Sequence, residues 1–363
     1  MREIILHFKK LDWILIITAI LLVGIGLLSI YSSSIGRGDF LNFKKQIIFF
    51  TISLFLMFIF SFFDWRGLRE NPYLILILYF LCLLGLLGLF FFAPEIRGIR
   101  SWYRLGPLTF SPIEFAKIVL IILLAKYFSM RHIEMYRVRH ILLSGAYILL
   151  PIVLIFPQPD LGQVLILIAL WVGILLISGI KLRHFLILVL CFLLISILSW
   201  SFLLKDYQKE RILSFLFPYD PLGVSWSQNQ AKIAVGAGGV FGQGLGSGSQ
   251  TQYGFLPEPQ TDFIFAAIAE ETGLLGVSVL LFLFSILIWR IMKIAILSQT
   301  NFPRLFAAGF SIILVSQAFI HIGMNLGILP IIGISLPLVS YGGSSLIAIY
   351  IGLGILQNIK NNP

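Results

Sequence analysis

The sequence predicts an all-α polytopic integral membrane protein with about ten transmembrane helices and one long extracytoplasmic loop before the eighth. Three observations carry this. Hydrophobic residues fill 59% of the 363 positions and charged residues only 12%, a balance foreign to soluble domains. The apolar residues fall in runs long enough to cross a bilayer. The breaks between runs carry the polar and charged residues that the runs otherwise lack.

Taken in order, the runs cover 13–31, 46–63, 73–93, 111–129, 141–157, 161–180, 185–204, 263–289, 305–327 and 338–357. The first follows a basic start, MREIILHFKKLD, and is longer than a signal-peptide core, so it reads as an uncleaved span. The tight turn QPDLG (158–162) divides the fifth from the sixth, and KLRH (181–184) divides the sixth from the seventh. Cys82 and Cys191 both lie inside apolar runs, so neither a disulfide framework nor a metal cluster is expected. The whole chain, 1–363, reads as one transmembrane domain.

An even number of spans places both termini on one side. That side collects fifteen lysines and arginines against ten opposite, with Lys117 inside a span. The positive-inside rule then makes the termini cytoplasmic. The net charge of +10 is thus read as topology and headgroup contact, not nucleic-acid binding. Loops 94–110, 157–162, 205–262 and 328–341 face outward and hold most of the unusual chemistry. The 205–262 loop opens with KDYQKERILSFLFPYDP, which suits an amphipathic surface helix. It continues with GAGGVFGQGLGSGSQ, seven glycines in fifteen residues, whose plain reading is flexible linker.

Several side chains are candidates for chemistry. Asp262 heads the eighth span, with Ala266, Ala269, Gly273 and Gly276 on one stripe below it, a smooth face for another helix. A carboxylate where water meets hydrocarbon is a functional candidate, with a helix N-cap as the plain alternative. Glu114 and Lys117 lie three residues apart, facing the same way one turn into the fourth span. Two charges in lipid are costly even when paired, which favours a hydrated cavity. Asp160 marks the QPDLG turn, where a simple turn-former is the alternative. Glu270 is a possible cavity-lining group, and Glu271 faces a neighbouring helix instead. Arg100, Arg104, Arg211 and Lys232 rim the outer side, where headgroup contact competes with binding an anionic lipid. Ser344, in SLPLVSYGGSS (335–345), is a second possible lining group. His321, with Asn325 one turn on, reads as an interior polar group. No spacing of His, Cys, Asp and Glu matches a structural metal site.

These motifs resemble the SEDS family. RLGPLTFSPIEFAK (104–117), QPDLG (158–162), LPEPQTDFIFA (256–266), GMNLGILP (323–330) and SYGGSS (340–345) match it in order and place. NQAKIAVGAGGVFGQGLGSGSQTQ (229–252) is closer to the RodA-like, elongation branch than to the division branch. The resemblance implies a peptidoglycan glycosyltransferase that polymerises lipid II into a glycan strand, by inverting β-1,4 transfer with undecaprenyl pyrophosphate leaving. It also implies a class B penicillin-binding protein as partner. The family's essential aspartate falls on Asp262, and its buried acid and base fall on Glu114 and Lys117. Asp160, Arg104, Arg211 and Lys232 complete the expected substrate contacts, or a divalent cation (magnesium or manganese) serves beside them. The chain departs from the family at Ser111 and Ile113, where QPSEF is usual, and by the residue between Arg100 and Trp102. A lipid II flippase and a non-catalytic scaffold are the competing readings.

Overall fold

The computed structural model describes residues 2–94, 101–106, 108–130, 138–158, 160–202, 204, 206–217 and 225–361. In chain order it contains α1 (Arg2–Lys10), α2 (Trp13–Arg37), α3 (Leu41–Phe62), α4 (Trp65–Glu70) and α5 (Pro72–Phe92). A hairpin of β1 (Tyr103–Leu105) and β2 (Leu108–Phe110) leads into α6 (Pro112–Ser129), α7 (Val138–Ile155), α8 (Leu161–Ile177) and α9 (Leu182–Phe202). Then come α10 (Asp206–Leu216), α11 (Trp226–Ala237), α12 (Ser249–Gln252), α13 (Ile264–Leu297), α14 (Asn301–Leu326) and α15 (Gly343–Asn361).

A long helix lies at each of the ten predicted runs. Seven of them are long and apolar enough to cross a membrane by length and composition, and α8 is a shorter apolar helix. The chain is a multi-pass helical membrane protein. Helix starts follow local chemistry: Asp12, Asn71 and Asp160 each accept a hydrogen bond from the first turn of α2, α5 and α8, satisfying amides that have no partner inside the helix.

The core forms where small residues let helices meet. Around α15, a methyl on Gly343 would strike Phe49 of α3, and one on Gly354 would strike the Met57 carbonyl. α14 is the most enclosed of the seven candidate spans and contacts α13, α6 and α8. α9 is the opposite case, with only His184 buried along its length, the pattern of a helix ringed by lipid.

The loops gather at two ends. At one, the termini meet α13: Asp12 binds Arg290 and Gln357, and Lys360 donates to the Lys10 carbonyl. At the other, loops 101–111, 158–162, 226–263 and 328–342 interlock, through Ser101 with Asp160, Ser111 with Ser344, Gln228 with Leu329 and Ser340 with Thr261.

Three features depart from the sequence reading. The first is the two-stranded hairpin in an otherwise helical chain, with Arg104 opposite Thr109. An isolated pair of strands is marginal, and this one is held from outside. Tyr103 donates its hydroxyl to the Gly85 carbonyl at 2.6 Å, and Ser344 donates to the Thr109 carbonyl at 3.3 Å. The second is the glycine-rich segment, which is wrapped tightly around α13 instead of serving as flexible linker. Third, the smooth stripe of α13 is met by α11, whose Ala231 and Ala234 pack with Ala266, and further along by that glycine-rich segment. A methyl on Gly238 would collide with the Ala269 carbonyl, and one on Gly242 with the Glu271 carbonyl.

That wrap explains a break in α13. Gly273 adopts φ 64° and ψ −164°, a conformation glycine reaches without a Cβ clash. The main-chain groups freed there must find partners, and the wrap supplies them. Gln243 and Gly244 donate to the Glu270 and Glu271 carbonyls at 2.9 and 3.0 Å, while Leu274 and Leu275 donate back to Gly239 and Val240.

Candidate functional site

Two groups of candidate side chains lie at the loop-rich end, one on each side of the segment 328–341. The first centres on α6. Lys117 Nζ lies 2.9 Å from both carboxylate oxygens of Glu114, and the two residues are 2% and 7% exposed. Gln163 of α8 reaches Glu114 from the side, with its Nε2 3.5 Å from Oε1. Its own amide meets Asp160 Oδ1, and Asp160 Oδ2 accepts from the Ser101 hydroxyl at 3.3 Å. A connected chain, Ser101–Asp160–Gln163–Glu114–Lys117, therefore runs from the hairpin loop into the helix bundle. Asp160 lies in the turn before α8, where burial pushes its carboxyl up to about 6 against the pull of its hydrogen bonds. Helix capping accounts for one of its oxygens, so its turn-forming role is real. The Gln163 Oε1 atom is buried with no hydrogen-bond partner among the described residues, leaving one acceptor unspent inside this group.

The second group centres on Asp262, which is partly buried. The N-cap of α13 is Phe263, so Asp262 sits one residue outside the cap position, and the plain N-cap reading falls. Asn325 of α14 donates to the Asp262 carbonyl at 3.0 Å. Gly333 lies across from the carboxylate, with Oδ2 3.8 Å from where a methyl on that glycine would sit. The neighbours of Gly333 face the other way, Ile332 and Ile334 both packing against Gly162 of the QPDLG turn. The strap 328–341 thus touches Asp262 on one flank and the Asp160 turn on the other. Ser340 and Tyr341 fix it by bonding the Thr261 and Gln260 carbonyls, each at 2.8 Å.

The remaining candidates divide. Arg104 is exposed on β1, close in sequence to Ser101. Lys232, on α11, is exposed and lies across Gly327 at the C-terminal end of α14, where a cation offsets the helix dipole. Arg211 is exposed on α10, whose Ser214 carbonyl accepts a hydrogen bond from the Ser225 hydroxyl. Arg100 lies outside the described residues.

Glu270 and Ser344 do not line the site as predicted. Glu270 is 0% exposed, and both its oxygens are consumed. Oε1 accepts from the Gln250 amide at 2.6 Å and the Ser249 hydroxyl, and Oε2 from the Thr251 amide and hydroxyl. It anchors the wrap. Glu271 serves similarly, taking Ser32 of α2, Gly246 and Gln252, which includes the neighbouring helix expected of it. Ser344 spends its hydroxyl on the Ser111 amide and the Thr109 carbonyl. Ser111, a departure from the usual family residue, closes that junction by donating to the Ser101 carbonyl at 3.3 Å. Gln163 escaped the sequence reading, although its place one turn beyond Asp160 was a signal. Cavities of about 290 and 630 Å³ lie elsewhere, at Arg69, Ser129 and Thr300 and between α2 and α3.

Fold and site together define a multi-pass membrane protein with buried, unneutralised hydrogen-bonding capacity beside a carboxylate at one end of the bundle. Residues 12–363 match the FtsW/RodA/SpoVE family of cell cycle proteins, and the chain belongs to it. The peptidoglycan glycosyltransferase MrdB of Escherichia coli is 39% identical over 286 residues, 78% of this chain and 77% of that protein. Stage V sporulation protein E of Bacillus subtilis is 35% identical over 96% of both chains. Among solved structures, a chain of a peptidoglycan synthase complex that coordinates polymerization and crosslinking superposes with a TM-score of 0.83 at 32% identity, covering 97% of this chain and 98% of the other. The rod shape determining protein RodA of Thermus thermophilus gives 0.72 at 29% identity, over 97% of each.

Proposed function

We propose that this peptidoglycan glycosyltransferase polymerises lipid II on the outer face of the cytoplasmic membrane, in the elongation role of its RodA-like relatives. Both termini lie in the cytoplasm in this reading, as the excess of basic residues on their side favours. Lipid II presents its sugar on an α-linked pyrophosphate, and a β-1,4 product requires in-line attack with inversion. Asp262 accepts the proton of the acceptor's 4-hydroxyl as that oxygen attacks the anomeric carbon, the logic of an inverting carboxylate. The pyrophosphate leaves with the bonding electron pair and needs no dedicated acid. Lys117 stabilises its developing charge, with Glu114 holding the ammonium in place. Arg104, Lys232 and Arg211 supply further positive field at the rim. Asp160 orients the turn that faces the strap.

Among the described residues no three His, Cys, Asp or Glu side chains converge as metal ligands. No step is routed through a divalent ion. The similarity to a chain of a synthase complex supports a class B penicillin-binding protein as the partner that cross-links the strand. The flippase reading is weaker because the candidate site residues Asp262, Asp160, Glu114 and Lys117 all lie toward the loop-rich end of the bundle.

One observation carries the proposal: a partly buried carboxylate that is not the helix cap, facing a strap whose other side packs on the Asp160 turn. Asp262→Asn keeps the shape and removes the base. In purified protein given lipid II, polymer should fall by about 10²–10⁴-fold with the melting temperature unchanged. Near-normal glycan output would remove Asp262 from catalysis, and labelled lipid II crossing vesicles without polymer would favour transport.

A further inference from the structure

Asn325 is 0% exposed, and two of its three side-chain hydrogen bonds go to backbone around Asp262. Its Nδ2 donates to the Asp262 carbonyl at 3.0 Å and to the His321 carbonyl at 2.8 Å. Its Oδ1 accepts from the Ala266 amide at 3.2 Å. Ala266 belongs to the first turn of α13, whose amides lack partners within the helix, and Phe263 at the cap offers no side-chain bond. The missing cap is therefore supplied in trans, from a helix about sixty residues further along the chain.

One turn earlier, His321 lies with Nδ1 2.7 Å from the Ile334 carbonyl. A carbonyl only accepts, so Nδ1 carries the proton and the ring grips the strap next to Gly333. A single turn of α14 thus holds both the peptide that bears Asp262 and the strap across from its carboxylate. We propose that Asn325 is a positioning residue for Asp262, fixing the peptide unit from which the carboxylate projects. This rests on the reading of Asp262 as the base. The residue type follows from the geometry: the site needs a donor and an acceptor at one reach, which an amide provides. A leucine of similar volume provides neither, and an ionised aspartate lacks the donor.

The test uses the purified full-length chain and lipid II, with Asn325→Leu, Asn325→Asp and Asp262→Asn compared. Asn325→Leu should lower kcat by about ten- to a hundredfold, the cost of displacing a catalytic group by a fraction of an ångström to an ångström, while KM stays within about twofold of wild type by the same argument. Asn325→Asp should recover as pH falls from 8 to 6, because a protonated carboxyl can donate to the Asp262 carbonyl while its other oxygen still accepts from Ala266. Melting temperatures at each pH separate this from folding. Wild-type kcat in Asn325→Leu, or an Asn325→Asp to wild-type ratio that is flat with pH, overturns the assignment. Should Asn325→Leu not fold, the pH ratio of Asn325→Asp decides alone. If Asp262→Asn stays active, the base and its positioning residue fall together; if it is dead while both Asn325 variants match wild type, only the positioning role falls.

Discussion

Two ion pairs among the described residues, one toward each end, are built differently. Asp12 and Arg290 join the start of α2 to the far end of α13, 278 residues apart. Asp12 also caps α2 through the Leu15 amide, and its main chain trades bonds with Gln357. Glu114 and Lys117 sit on one turn of one helix, with Gln163 as their long contact from outside. Burying either pair carries a desolvation cost. The first pair offsets it by fastening three distant segments. The second lies within one turn of α6 and reaches Gln163 of α8 beyond it. The contrast is between a pair bound across the fold and a pair set along one helix.

Lys117→Met should break this contrast most sharply. Polymerisation should fall by about 10²–10³-fold, the scale of losing one preorganised electrostatic contact, while the melting temperature moves by only a few degrees. A variant that fails to insert or fold would instead class this pair with the other. Arg290→Met should do the reverse, leaving turnover per folded molecule unchanged. Its stability should drop by about 3–5 kcal/mol, because Asp12 stays buried without its partner; denaturation in detergent measures this. Glu270→Gln extends the comparison to a carboxylate consumed by backbone. One oxygen of four bonds' worth of acceptor becomes a donor facing donors, costing about 1–3 kcal/mol. Limited proteolysis should then cut within 239–252 faster than in wild type, and equal rates would remove Glu270 as the anchor.

Asp160 gives the smallest effect. Its carboxyl is raised from 3.8 to about 6 by burial, so between those values the folded state binds more protons than the unfolded chain. Stability from this group is therefore greatest in acid and declines as pH rises toward 6, then levels. Asp160→Asn should flatten that slope in a series of melting curves. An unchanged slope would assign the titration to another group.

Some of the site was legible from spacing alone. The Glu114–Lys117 contact follows from residues three apart on a helix, and the α10 helix from its charged and apolar alternation. Glu270 was not legible, because the amides that consume it lie at 249–251 and nothing in a 3.6-residue period says which segment will cover a helix face. The same blindness hid the break at Gly273 within the stripe from Ala266 to Gly276, where the wrap supplies the freed main-chain groups with partners. Asn325 was noted only as the neighbour of His321, because its partners, Asp262 and Ala266, are some sixty residues away.

By itself the sequence determined the membrane class, the places of the long helices and the residues able to carry charge, since hydrophobic run length and local capping depend only on neighbouring residues. The tertiary structure decided which carboxylates are consumed in anchoring the fold, as Glu270 and Glu271 are. That depends on how many backbone donors each one meets, and those donors are brought to it by chain segments far away in sequence.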